Sequence, residues 1–276
     1  MRFQIIADSS LDVNTELEER LQVHKAPFRI TVGTDDFIDD ENIDVKDLMR
    51  KVAACETVAH TAAPAPYEFA KYVDPSAEGV FFITITSGLS AAFDMAQMAC
   101  ADVLEKYPHM KAAAIDSLSA STGETRLAYE MRKMESAGAS FDDTLEHVLK
   151  VRDSDRLVFL LDNLETLRKN GRMSRLESIF ASFLHIKPLL EATPDGQIGL
   201  FDRARTFKKA LEKLAENIRQ WQNKGPLLIS HCNCPERAEE LFSMLAPHEG
   251  FEEAHVMPMG GLSSIYANEG ALIVNI

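Results

Sequence analysis

The run Phe81–Ala92, FFITITSGLSAA, is apolar and β-branched until it ends in Ser87-Gly88-Leu89-Ser90. A buried strand stops there, the chain turns on a glycine and a helix begins. Hydroxyls and free backbone N–H groups therefore gather at one strand's carboxyl end. Such a turn suits an anion, because a helix N-terminus leaves donors unpaired and carries the positive end of the helix dipole. Taken alone it reads equally as an ordinary strand–helix junction. Two further strand ends finish in the same way, Asp8-Ser9-Ser10 and Asp116-Ser117, and the small-residue loop His60–Pro66 adds Thr61. In a parallel sheet these ends share one edge, where α/β folds place their ligands. Hydroxyls donate hydrogen bonds without bringing charge, so the set suits a carboxylate or phosphate that is partly buried. The candidate binding residues on this edge are Thr61, Ser87, Gly88, Ser90 and Ser117.

The same groups make a poor catalytic centre. A serine nucleophile needs a base held by a third group, and the chain has no Gly-x-Ser-x-Gly elbow, Walker loop, dinucleotide fingerprint or His-Glu-x-x-His pair. No catalytic residue, metal site or cofactor is expected. An enzyme, either a hydrolase using Ser90 or Ser87 or a self-contained kinase, is a competing class that acyl-ester turnover would reveal. Cys232 and Cys234 form a C-x-C beside His231, with too few partners at ligand spacing for a metal. Cys55 and Cys100 read as small core residues.

Cations concentrate in the second half. Arg168, Lys169, Arg172 and Arg175 flank Gly171, and Arg203, Arg205, Lys208 and Lys209 follow the segment Gln197–Phe201. They read either as a solvated face balanced by acids or as a docking site for an acidic or phosphate-bearing partner, for which the arginine fork is suited.

The elements that position these groups are legible as a pattern. The 276 residues carry a net charge of −14, 46% hydrophobic and 26% charged residues, so the chain folds around a core and repels nucleic acid and anionic membrane. No apolar run reaches the roughly 20 residues of a bilayer span, and the N-terminus does not read as a signal peptide. A cytoplasmic protein is expected. Strands at Phe3–Ala7, Ala26–Val32, Gly79–Thr86, Lys111–Ile115 and Leu157–Leu161 alternate with helices, which implies parallel βαβ units. Asp44 and Pro66 stand where helices start, and the helical step Leu89, Phe93, Ala96, Cys100, Val103 follows the Ser87 turn. Later, Ile186–Glu191 and Gln197–Phe201 flank Thr193-Pro194-Asp195-Gly196 as a hairpin. Helices over Ala210–Asn223 and Pro235–Leu245 and strands Leu227–His231, His255–Met257 and Ala271–Asn275 complete the pattern. The expected architecture is α/β in two domains. Residues 1–160 form a mostly parallel sheet flanked by helices, residues 161–276 an α+β domain with a mixed or antiparallel sheet, and a ligand cleft lies between them.

These motifs together resemble the DegV family, the fatty-acid-binding subunits that serve bacterial fatty acid kinases. The resemblance rests on DSSLD at Asp8–Asp12, HTAAPAP at His60–Pro66, TSGLSAA at Thr86–Ala92, IDSLSAS at Ile115–Ser121, LRKNGRMS at Leu167–Ser174, IKPLLEATPDGQI at Ile186–Ile198 and RARTFKKAL at Arg203–Leu211, in that order and spacing. It implies a bacterial, non-catalytic carrier that buries one long-chain fatty acid between its domains, holds the carboxyl group with Thr61 and Ser90, and presents it to the catalytic subunit of a fatty acid kinase, which makes the acyl phosphate. Arg172 and Arg205 match arginines that engage the kinase. Delivery to phospholipid synthesis leaves room for transient membrane contact. The chain departs from the family in two places. A histidine common in the family's last glycine-rich segment falls at Leu262, within Met259–Leu272, and Ala62 stands where serine is common. Ser263 and Ser264 are the nearest replacement donors. The alternative is a cleft that binds or senses another small carboxylate or phosphate metabolite.

A carrier of this kind is physically reasonable. A palmitoyl-like tail has about 14 methylenes, and at roughly 0.8 kcal/mol each their burial contributes on the order of 11 kcal/mol before ordering costs. The tail would supply affinity and the hydroxyls would supply position.

Overall fold

The computed structural model describes residues 2–178, 186–221, 225–245 and 250–276. The first half contains β1 (Phe3–Asp8), α1 (Thr15–Leu21), β2 (Val23–Ala26), β3 (Arg29–Val32), β4 (Asp35–Ile38), α2 (Val45–Ala54), β5 (His60–Ala62), α3 (Pro66–Ala70), β6 (Gly79–Thr84), α4 (Ala92–Lys106), β7 (Lys111–Asp116), α5 (Thr122–Ser136) and α6 (Phe141–Ser154). The second half follows with β8 (Leu157–Leu160), α7 (Glu165–Lys169), β9 (Lys187–Ala192), β10 (Ile198–Ala204), α8 (Phe207–Gln220), β11 (Leu227–His231), α9 (Pro235–Leu245), β12 (Ala254–Pro258), α10 (Gly261–Ala267) and β13 (Leu272–Asn275).

Four strands pair in the order β2-β1-β6-β7, all parallel. Every residue of β6 is buried, as a strand covered on both faces requires. Its side chains alternate between layers. Phe81 and Ile83 pack with Leu127 and Met131 of α5, while Val80 and Phe82 pack with Ala96 and Ala99 of α4. A second sheet runs β10-β9-β8-β13-β11-β12 and is mixed, with only β11 and β12 parallel. One face, carrying Val158, Leu160 and Val274, packs on α8 and α9. The other, carrying Leu157, Phe159 and Ile273, turns toward Ile30 of β3, Leu48 of α2 and Ile265 of α10. A small antiparallel sheet, β4-β3-β5, lies on that side.

Local start signals act as expected. Asn14 caps α1 by accepting the Leu17 N–H, Asp44 caps α2 by accepting that of Asp47, and Pro66 opens α3. Five expectations need correction. The strand expected over Ala26–Val32 is two strands in two sheets, because Pro27 has no N–H to continue a ladder. The loop at His60–Pro66 begins as β5, an edge strand paired with β3. Leu157–Leu161 does not extend the parallel set, since β8 runs antiparallel between β13 and β9 and so joins the second sheet ahead of residue 160. Helix α4 starts at Ala92, which leaves Leu89 and Ser90 in the turn before it. Of the helix expected over Ala210–Asn223, α8 starts earlier at Phe207, capped by Thr206, and Asn223 lies outside the described residues.

Candidate functional site

Between the carboxyl edge of the parallel sheet and the inner face of the six-stranded sheet lies a cavity of about 220 Å³. Leu157 and Phe159 of β8, Ile273 of β13 and Ile198 of β10 form one wall. The turn after β6 contributes Ile85, Thr86, Leu89, Ser90 and Ala91, and α10 contributes Leu262, Ser263 and Tyr266. The lining is mainly apolar, and among the described residues Arg172 is its one charged side chain.

The hydroxyl-rich strand ends divide into groups that shape the turns and groups that face the cavity. Asp8, at the end of β1, accepts the N–H groups of Ser10 and Ile85, both at 2.9 Å. Full burial pushes its carboxyl up to about 7, although both backbone donors pull the other way. Asp116 likewise accepts from Ser87 N at 3.1 Å and Leu118 N at 3.0 Å. These acids close turns. Ser87 is exposed and does not line the cavity. The Ser117 hydroxyl donates to the Ser119 carbonyl at 3.0 Å and also lies off the lining. Gly88 is a packing position. Its carbonyl accepts from Gln197 Nε2 at 3.0 Å, and a Cβ there would stand 2.4 Å from that nitrogen. At the hairpin tip Gly196 has φ +71°, and its carbonyl accepts from Thr86 Oγ1 at 2.9 Å. The β9–β10 hairpin is thereby clamped onto the turn that carries Ser90.

Thr61 and Ser90 both line the cavity. The Thr61 hydroxyl, on edge strand β5, lies 2.9 Å from that of Tyr266. Ser90 Oγ accepts the Ala92 N–H at 3.2 Å and keeps its own hydrogen to donate. No side chain caps α4 at Ala91, so the positive end of that helix dipole opens on the same region. Arg172 joins these pieces: its Nε donates to the Leu89 carbonyl at 3.2 Å and its Nη1 to the Asn170 carbonyl, while Asn170 Nδ2 reaches the Ala59 carbonyl at 3.1 Å. The arginine therefore braces the Ser90 turn and lies close to the Thr61 strand.

The replacement donors expected near Leu262 are placed differently. Ser263 lines the cavity, but its hydroxyl donates to the Ser10 carbonyl at 3.3 Å. Ser264 is fully buried off the lining. Tyr266 was not among the expected residues, although it follows Leu262 by four positions, one helical turn on the same face. The start of α10 is held by two buried acids. Asp39 accepts from Gly261 N at 2.8 Å and Leu262 N at 3.0 Å, and Asp12 accepts from Gly260 N at 2.7 Å.

Arg205 sits apart from the cavity, exposed between β10 and α8. Several of its neighbours in sequence pattern are paired: Glu165 takes Arg168 and Lys169, Asp195 takes Arg175, and Glu212 takes Lys209. Cys232 and Cys234 are buried, and desolvation pushes their thiols up to about 12 and about 11. Among the described residues no cluster of His, Cys, Asp or Glu suits a metal ion, and no helix is long and apolar enough to cross a membrane.

Comparison with known proteins agrees in sequence and in fold. A DegV domain-containing protein of Streptococcus gordonii is 30% identical over 277 aligned positions, 99% of this chain and 98% of the relative. A crystal structure of a DegV-family protein from Ruminococcus gnavus, described with vaccenic acid, superposes with a TM-score of 0.93 at 31% identity, covering 100% of this chain and 99% of the other. The Streptococcus pneumoniae Fatty Acid Kinase (Fak) B3 protein, loaded with linoleic acid, superposes with a TM-score of 0.86 at 27% identity, covering 100% and 99%. The family model described as "Uncharacterised protein, DegV family" matches residues 2–276, and the chain belongs to the DegV family.

Proposed function

We propose that this protein binds one long-chain fatty acid in the cavity, with its carboxylate at Thr61 and Ser90, and presents that group to a separate fatty acid kinase. The observation that carries the reading is the lining. Among the described residues most of it is apolar, no acid lines it, and the Thr61 and Ser90 hydroxyls share it with one cation, Arg172. An alkyl tail satisfies such walls, whereas a small polar metabolite would leave them unfilled. The solved relatives named with vaccenic and linoleic acid support a lipid ligand, and the Fak B3 name supports a kinase partner.

The carrier itself performs no chemistry in this reading. Among the described residues no histidine, lysine or acid lines the cavity beside Ser90 to serve as a base. Arg205, exposed near Lys208, is positioned to meet an acidic or phosphate-bearing partner surface. Arg172 has a double part, bracing the Ser90 turn and facing the kinase from the head-group end. The chain up to α6 and the chain from β8 onward act as two domains with the ligand at their junction. The reading places the carrier in a bacterial cytoplasm, with transient membrane contact at delivery.

Native mass spectrometry of protein freshly purified from a bacterial host tests the proposal. A mass increment matching one fatty acid, released on denaturation and identified after extraction, is the expected result. Protein that is consistently lipid-free, and whose melting temperature does not rise when oleate is added, would refute it.

A further inference from the structure

Glu124, in the first turn of α5, is fully buried, and no donor reaches either of its carboxylate oxygens. It faces the Asp8 carboxyl and the Ser10 hydroxyl, with Asp12 nearby. Asp8 is fully buried too, and its two oxygens already accept the Ser10 and Ile85 N–H groups, both at 2.9 Å. Ser10 and Ile85 line the cavity, and Ile85 begins the turn that carries Ser90. Asp39 also acts on Asp8, Lys25 of β2 acts on Asp12 and Asp39, and Arg126, two residues along α5, is taken by Glu130. Two ionised carboxylates facing each other in so dry a place would each lack a counter-charge. A close pair of this kind retains one proton. Burial, and then the Asp8 charge, push the Glu124 carboxyl well above its ordinary range, so Glu124 keeps that proton and turns it toward Asp8.

We propose that Glu124 is a positioning residue for fatty acid binding: as a neutral acid it donates to Asp8, the shared proton steadies the Ser90 turn, and ligand binding is thereby tied to proton uptake. The proposal rests on the lipid reading above. Glu124 acts only through Asp8, which grips the cavity wall at Ser10 and Ile85. A bound carboxylate brings a further negative charge to the other side of that wall and favours protons on the acids behind it. Linkage is reciprocal, so a protonated pair favours the bound anion by the same factor. The sign follows: affinity for a fatty acid falls as pH rises through the titration of the pair, and affinity for an uncharged lipid does not.

Glu124→Gln separates this role from packing. The amide has the same shape and an N–H to donate to Asp8, but it holds no titrating proton. With no acid facing it, Asp8 then stays ionised throughout. Delipidated wild type and variant are titrated calorimetrically with oleate and with methyl oleate, which has the same tail and no charge, from slightly acid to slightly alkaline pH. Wild-type affinity for oleate should fall by about fivefold across that range, the lower end of coupling between linked sites. Oleate binding to Glu124→Gln, and methyl oleate binding to both proteins, should stay nearly level. Ionisation of oleate itself is common to the two proteins and cancels in their comparison. Parallel oleate profiles for wild type and variant, or a level wild-type profile, would overturn the proposal. If Glu124→Gln does not fold, infrared spectroscopy reads the pair in the wild type alone. The C=O band of a protonated buried carboxyl should grow when oleate binds, with ¹³C at the ligand's carboxyl carbon to move its own band aside; an unchanged band would overturn the proposal. A wild type that binds neither lipid at any pH would overturn the lipid reading, and this proposal with it.

Discussion

Asp12 offers a stability test with an unusual sign. Its side chain is buried, accepts the Gly260 N–H at 2.7 Å and the Ser121 hydroxyl, and so ties the first strand–turn of the parallel half to the start of α10. Desolvation pushes its carboxyl from an ordinary 3.8 up to about 6, against the pull of those donors. A folded-state value above the unfolded one means that the folded protein binds the proton more tightly, so stability falls as pH rises from about 4 through about 6. The full difference is about 3 kcal/mol, of which about 1–2 kcal/mol is recovered on acidifying from about pH 7.5 to about pH 5. In a chain of this size that is on the order of 2–4 °C in Tm. Asp8 and Asp155, both raised to about 7 by burial, act in the same direction. His231, lowered by burial, acts oppositely as pH falls through the histidine range. Glu253, held down to about 2 through Arg20, Tyr129 and His255 although burial opposes them, matters only at lower pH. Comparison of wild type with Asp12→Asn cancels these shared groups. Calorimetric unfolding of delipidated protein across this range should show the wild type gaining about 1–2 kcal/mol relative to Asp12→Asn as pH falls. Parallel pH profiles for the two proteins would refute the reasoning, because Asp12 would then ionise alike in folded and unfolded chains.

Three further outcomes follow from the site. Ser90→Ala removes a free O–H donor and should weaken oleate binding about tenfold in calorimetry while leaving the fold intact; unchanged affinity would remove Ser90 from the head-group site. Arg172→Ala should weaken oleate binding as well as kinase-dependent phosphorylation, because its guanidinium lines the cavity and braces the Leu89 carbonyl, whereas Arg205→Ala should spare binding and reduce phosphorylation; identical behaviour of the two variants would contradict this division. Gly88→Ala places a Cβ 2.4 Å from Gln197 Nε2 and 2.6 Å from the Gly196 carbonyl, an overpacking expected to cost about 1–3 kcal/mol in urea unfolding. Full stability in that variant would show that the hairpin is not pressed onto the Ser90 turn.

Local chemistry made much of the protein legible from its residues. Asn14, Asp44 and Pro66 act within one helical turn of themselves, so their spacing suffices to mark where α1, α2 and α3 begin. Thr193-Pro194-Asp195-Gly196 closes its own turn, with Gly196 N bonded to the Thr193 carbonyl at 2.8 Å. The buried run of β6 and the hydroxyls that follow it identified the site's edge, since a strand's alternation and a turn's composition are properties of neighbouring residues. The seven segments from Asp8 to Leu211 carried the family.

Partners far apart in sequence were decided by the tertiary structure. Leu157–Leu160 is an apolar run in any sheet, and nothing in its four residues says that β13 and β9, rather than the parallel strands, would take its backbone groups. Hydroxyls look alike in a sequence, yet Ser117 spends its own on a carbonyl two residues on, Ser263 on that of Ser10 across 253 positions, and Thr61 meets Tyr266 across 205. A cavity exists only where two packed layers fail to meet, so which of the candidate residues face it depends on how the six-stranded sheet, α10 and the Ser90 turn are set against one another. Residue types determined the chemistry this chain has to offer, and packing determined which of those groups remain free to use it.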